Sequence, residues 1–93
     1  SSSELDQKAR RLSVVQPRLT STLLRQTPAT VVVIFIVDEN GRVQDPKVQR
    51  TTNPSFDRSA LAAIKQWKFE PAKVQGRAVS SRLRQSFSFE NST

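Results

Sequence analysis

Arg82, Arg84, Ser86 and Ser88 alternate with Leu83, Gln85, Phe87 and Phe89, in a stretch from Val79 to Phe89 that contains neither proline nor glycine. The chemistry open to this spacing is main-chain hydrogen bonding. A period of two sets Val79, Leu83, Phe87 and Phe89 on one face and Ser80, Arg82, Arg84, Ser86 and Ser88 on the other. If such a strand ends a sheet, its outer N–H and C=O groups are a template for another chain. The candidate binding residues are therefore Ser80, Ser81, Arg82, Leu83, Arg84, Gln85, Ser86, Phe87 and Ser88. Arg82 and Arg84 would sit beside the incoming strand and favour carboxylates on it. Two plainer readings compete: the arginines guard an edge against aggregation, or Asn91 to Thr93 fold back across it.

Other site chemistries lack their residues. The 93-residue chain has no histidine and no cysteine, which removes zinc sites built on those ligands, thiol chemistry, serine–histidine triads and disulfide frameworks. Its two glycines, Gly41 and Gly76, cannot build a glycine-rich phosphate cradle. Asp38 and Glu39 fall in a hairpin turn, while Asp45, Asp57, Glu70 and Glu90 are scattered, with no sign of the cleft that a catalytic carboxylate pair needs. The chain reads as a non-enzyme without metal or cofactor. Its net charge of +7 suits anionic partners, whether nucleic acid, acidic protein or lipid surface, and equally suits plain solubility. No apolar run approaches the roughly 20 residues of a membrane span.

The elements that must position the last strand follow from local signals. Ser1 to Ser3 read as a frayed start. Ser3 and Asp6 resemble a capping box ahead of Leu5, Ala9 and Leu12 at helical spacing, and Pro17 reads as the opening of a second short helix burying Leu19, Leu23 and Leu24 before Pro28. Val31 to Val37 is apolar at every position, which predicts a central strand covered on both faces. Asn40-Gly41 predicts a type I′ hairpin. The return strand, about Arg42 to Arg50, carries Pro46 and so reads as an edge with a bulge near Asp45-Pro46. Asn53-Pro54 predicts a helix start, with Phe56, Ala60, Ala63, Ile64 and Trp67 on one stripe and Pro71 as the stop. A loop through Gly76 leads to the closing strand.

Strand, strand, helix, strand in that order predicts an α+β domain with one three-stranded antiparallel sheet, spatial order second-first-third. The main helix packs on one face and the short N-terminal helices cover part of the other. The whole chain, 1–93, reads as one domain, with 4–27 the N-terminal helical segment, 30–90 the sheet and helix, and 91–93 frayed like the start.

These residues together resemble the C-terminal domain of TonB-type energy transducers. The match runs from Phe35-Ile36-Val37 through Asn40-Gly41-Arg42-Val43 and Trp67 to Phe69-Glu70-Pro71-Ala72-Lys73, Gly76 and Phe87-Ser88-Phe89. The resemblance implies a periplasmic domain of a protein anchored in a Gram-negative inner membrane. It implies association of that anchor with the ExbB–ExbD motor, driven by the proton gradient. It further implies capture of the TonB box, an N-terminal segment of an outer-membrane receptor, as an added strand on the last strand, for import of siderophore, haem or cobalamin. Two departures stand out. Pro17 is followed by Arg18-Leu19-Thr20 where the family often has Tyr-Pro, and Ala29 stands where a glycine usually precedes the first strand. The Tyr-Pro region lies near the receptor in the family, which makes Leu19 and Thr20 the candidates for secondary contact.

Two other readings use the same residues. Lys65, Lys68, Lys73, Arg77, Arg82 and Arg84 against Glu70 alone, with Trp67 and Phe69 nearby, would suit a nucleic-acid module if aromatics were exposed for stacking. The helical stripe and strand alternation instead place Trp67, Phe87 and Phe89 in the core, which makes nucleic acid the minor reading. The third is homodimerisation through the same edge.

Overall fold

A computed structural model of the chain describes residues 7–91. The apolar run folds as a strand, β2 (Ala29–Val37), and Val43–Thr51 returns beside it as β3. The closing strand, β7 (Ser81–Phe89), pairs antiparallel with β2 on its other side, in unbroken register from Ala29↔Phe89 to Val37↔Ser81. The order β3-β2-β7 is the expected second-first-third arrangement. Between Ile34↔Lys47 and Ile36↔Gln44, β3 carries one residue more than β2. The extra residue falls at Asp45-Pro46, where Asp45 takes φ 52°. Proline cannot donate to the ladder, so the strand bulges around it and remains an edge.

Asn53 caps the 3-10 turn that leads into the main helix, its side-chain oxygen accepting from the Ser55 N–H at 3.0 Å. Pro54–Phe56 forms a 3-10 turn and Asp57–Ile64 the helix proper, α2. Phe56, Ala60, Ala63 and Ile64 face Val31, Val33, Phe35 and Val37 in one apolar core, which Trp67, Phe69, Phe87 and Phe89 close. Each fully buried Val, Ile or Phe side chain among them contributes about 1.5–3 kcal/mol. The rings interlock, with Phe56 and Phe89 centroids 4.8 Å apart and Trp67 edge-on to Phe87 at 5.6 Å.

Several expectations are corrected. The helix does not run on to Pro71. It closes with short-range bonds from Gln66 N–H to the Ala63 carbonyl and from Trp67 N–H to the Ile64 carbonyl. Lys68–Glu70 then extends as β4, because Phe69 must point into the core while Lys68 and Glu70 stay out. The stretch through Gly76 is no loop. Ala72–Val74 (β5) and Arg77–Val79 (β6) pair across a tight turn in which Gln75 and Gly76 take φ 50° and 77°. Val79 therefore belongs to β6 and not to the closing strand.

The N-terminal segment is not helical over Ala9 to Leu12. Arg10–Ser13 forms a strand, β1, that pairs with β4, since β4 offers a backbone edge that a helix could not satisfy. The capping box at Ser3–Asp6, Leu5 and the frayed start lie outside the described residues, as do the last two residues of the tail. Thr20, not Pro17, opens the second helix, a single turn over Ser21–Leu24 (α1), by accepting from the Leu23 N–H at 3.2 Å. None of this covers the far face of the sheet, where Ile34 is 36% exposed and Ile36 half-buried. Ala9, Val15, Leu19 and Leu23 instead pack against the core that α2 already shares.

The hairpin between β2 and β3 also differs in type. Within it only Gly41 takes positive φ, 81°. The Gly41 N–H donates to the Asp38 carbonyl at 3.0 Å, giving a type I turn closed by a left-handed glycine rather than a type I′ pair. Asp38 explains the choice: its carboxylate accepts from the Asn40 and Arg42 N–H groups and from Gln44 Nε2, all at 2.9 Å. Those bonds, the Arg42 N–H first, hold its pKa below the ordinary value. A Cβ on Gly41 would lie 1.9 Å from the Phe69 carbonyl oxygen. Gly41→Ala is therefore expected to cost more than about 1 kcal/mol, read as a lower urea midpoint; an unchanged midpoint would contradict the close approach of this turn to β4.

Candidate functional site

The pairing of β2 fixes which backbone groups of β7 are free. The Thr52 N–H donates to the Thr30 carbonyl at 3.0 Å, and the Thr30 N–H donates to Thr52 Oγ1 at 2.9 Å. Thr30 thus points its main-chain groups toward β3. Alternation along an antiparallel strand then turns Val31, Val33, Phe35 and Val37 toward β7. Their register partners Phe87, Gln85, Leu83 and Ser81 point inward. Arg82, Arg84, Ser86 and Ser88 consequently aim their N–H and C=O groups away from the sheet, and among the described residues no other strand pairs with that side. Gln85 Nε2 donates to the Ser86 carbonyl at 2.8 Å, a side-chain cap on one of the outward acceptors.

A groove follows this edge. Beside Ser86 to Glu90 it holds about 310 Å³ between the strand and Arg11, Val14, Gln16, Pro17 and Leu19, with Trp67 in its floor. A further hollow of about 400 Å³ lies between Leu83 to Gln85 and Ala9 to Arg11. Trp67 positions the far wall: its Nε1–H donates to the Val15 carbonyl at 2.9 Å, and the Arg11 guanidinium lies 6.0 Å from its ring centroid. Glu70 fastens the same wall, pairing with Arg10 and accepting from Gln7 Nε2 at 3.1 Å.

These two donors, Arg10 first, hold the Glu70 carboxyl below its usual range. A depressed folded pKa gives stability that is complete above the unfolded value and lost as pH falls through the folded one. Protection of the Arg10–Ser13 amides is therefore expected to decline below about pH 4, measured by hydrogen exchange. Constant protection down to about pH 2, below the range of ordinary carboxylates, would remove Glu70 from the fastening.

Of the residues singled out in the sequence, Ser81 to Ser88 lie on β7, while Ser80 is an exposed residue between β6 and β7. Arg82 and Arg84 are exposed on the far face, and the Phe87 ring is buried, so only its backbone faces a neighbouring strand. Leu19 lines the groove; Thr20 is spent as the cap of α1. Sequence reasoning missed Arg11, Val14 and Gln16 as the opposite wall. Their one local signal is Pro17, which favours an extended Gln16 before it. All six aromatics are buried, leaving none on which a nucleobase could stack.

Residues 23–90 match the family model described as the Gram-negative bacterial TonB protein C-terminal. Over 60 residues the chain is 35% identical to Protein TonB from two strains of Xanthomonas campestris pv. campestris, a stretch covering 63% of this chain and 27% of those relatives. The fold matches the solution structure of the Pseudomonas aeruginosa TonB C-terminal domain with a TM-score of 0.78, at 24% identity, over 95% of this chain and 91% of that one.

Proposed function

Because the chain belongs to the Gram-negative bacterial TonB C-terminal family, we propose that it is the strand-capturing end of a periplasmic energy transducer. It takes the N-terminal TonB-box segment of an outer-membrane receptor as an added strand on β7. The pull is supplied through an inner-membrane anchor and an ExbB–ExbD motor, and drives uptake of siderophore, haem or cobalamin. Residues 1–93 act as one domain in this role. The observation that carries the proposal is the row of outward main-chain groups at Arg82, Arg84, Ser86 and Ser88, set along the groove that Arg11, Val14, Gln16, Pro17 and Leu19 line on its other side.

The geometry also sorts the guest's side chains. Residues directly opposite Arg82 and Arg84 share their face of the sheet and meet two guanidinium groups, so carboxylates are favoured there. The alternate guest residues turn toward Val14, Leu19 and Trp67, where apolar side chains fit.

Titration with an extended, acidic receptor-type peptide is expected to shift the Arg82 to Ser88 amides in NMR spectra, with single-stranded oligonucleotide producing only weak, salt-sensitive changes. Tight, salt-resistant oligonucleotide binding without a peptide effect would overturn the proposal. Arg82→Glu is expected to weaken an acidic guest severalfold through like-charge repulsion. Equal affinity would show that the arginines do not select the guest. Self-pairing of two chains through the same edge would appear as concentration-dependent association that the peptide reverses.

A further inference from the structure

The face of the sheet turned away from α2 carries an apolar strip between two rows of cations. Ile34 and Ile36 lie on β2. Ile34 has Lys47 opposite it on β3 and Arg84 opposite it on β7, Ile36 has Arg82 beside it, and Val32 has Arg50. All four cations are exposed. Asp45 lies at the rim, 3.6 Å from Lys47 Nζ. The strip forms the bottom of a trough of about 480 Å³, walled by Lys47 and Gln49 on one side and Arg82 and Arg84 on the other.

We propose that this face is a second docking surface, for an amphipathic helix whose aliphatic stripe is bordered by glutamate or aspartate. Three features set that occupant. The trough is concave, so a ridge reaches Ile34 and Ile36 where a flat lipid surface meets the flanking cations first. The two cation rows are two strand spacings apart, about 10 Å, which matches the diameter of a helix, about 10–12 Å. A helix lying along β2 therefore places carboxylates on its two flanks against the two rows. Ile34 and Ile36 are about 7 Å apart along the strand, close to the separation of helix side chains four residues apart, about 6 Å. Nucleic acid is the poorer occupant, since the face holds no aromatic ring. The surface shares Arg82 and Arg84 with the β7 edge and differs from it in using side chains across the whole sheet, Lys47 and Arg50 of β3 included, rather than the main-chain groups at its border.

The test uses a synthetic amphipathic helix with a leucine stripe flanked by glutamates, a control with glutamines in those flanks, vesicles of phosphatidylglycerol and phosphatidylcholine in equal parts, and a single-stranded oligonucleotide. The glutamate peptide is expected to shift the methyl signals of Ile34 and Ile36. The double variant Lys47→Glu with Arg50→Glu is expected to weaken it at least about tenfold, while leaving receptor-peptide capture at β7 unchanged, because β3 borders the opposite side of the sheet. Equal binding of the glutamine control overturns the proposal. So do shifts confined to the β7 amides, or Ile34 and Ile36 shifts produced by vesicles or oligonucleotide but not by the peptide.

Discussion

Arg84→Pro is expected to weaken capture of an extended guest peptide roughly ten- to a hundredfold while the domain stays folded. The Arg84 N–H points away from β2, because Thr30 points toward β3 and the strands alternate from there. Proline is tolerated where the lost donor faces solvent on an edge strand. A guest carbonyl laid against it loses its partner and meets the ring. Gln85→Pro, one residue on, is the contrasting case. Its N–H is directed at Val33 in the middle of the sheet, so its loss removes a ladder bond and leaves a buried acceptor unpaired, at an expected cost of about 1–3 kcal/mol of stability. Circular dichroism and peptide titration on both variants separate the effects. Equal damage to fold and capture in the two proteins would mean the assignment of inward and outward groups is wrong.

Trp67→Ala is expected to lower stability by about 3–5 kcal/mol, a large share of the roughly 5–15 kcal/mol available to a domain of this size. The ring is only 5% exposed and packs against Phe69 and Phe87. It also anchors the groove wall through the Val15 carbonyl, so truncation leaves both a cavity and an unpaired acceptor. Trp67→Phe keeps most of the packing and removes only the anchor. It is expected to reduce peptide affinity more visibly than stability. Denaturant unfolding decides the first point, and near wild-type stability for Trp67→Ala would contradict the core placement.

What was legible in the sequence was local. Asn53-Pro54 states a helix start through one cap and one fixed φ, Pro46 states an edge through one missing donor, and the alternation from Val79 to Phe89 states a half-buried strand, of which Ser81 to Phe89 forms β7. Order in the sheet followed because few topologies join those elements. The family resemblance, which the comparisons bear out, rested on the same residues. What was not legible depended on distant partners. Ala9 and Leu12 sit at helical spacing, yet the segment extends because β4 has an edge to pair. Trp67-Lys68-Phe69-Glu70 carries its own strand alternation, overlooked because Trp67 also completes the helical stripe. The uniformly apolar β2 suggested cover on both faces. The structure covers one fully; on the other Val32 is buried beside Arg50, while the long cationic side chains beside Ile34 and Ile36 let those two partly face water. The site itself was half legible: β7 announces its edge, whereas the opposing wall of Arg11, Val14 and Gln16 is brought there only by the Trp67 anchor.

Hydrogen exchange along β7, with and without a receptor-type peptide, tests the outward row most directly. In the free chain the Leu83, Gln85 and Phe87 amides are expected to be protected, and those of Arg82, Arg84, Ser86 and Ser88 to exchange freely. Saturating peptide should then slow the second set. Protection of those four amides before any peptide is added, or their continued free exchange once it is bound, would contradict the account.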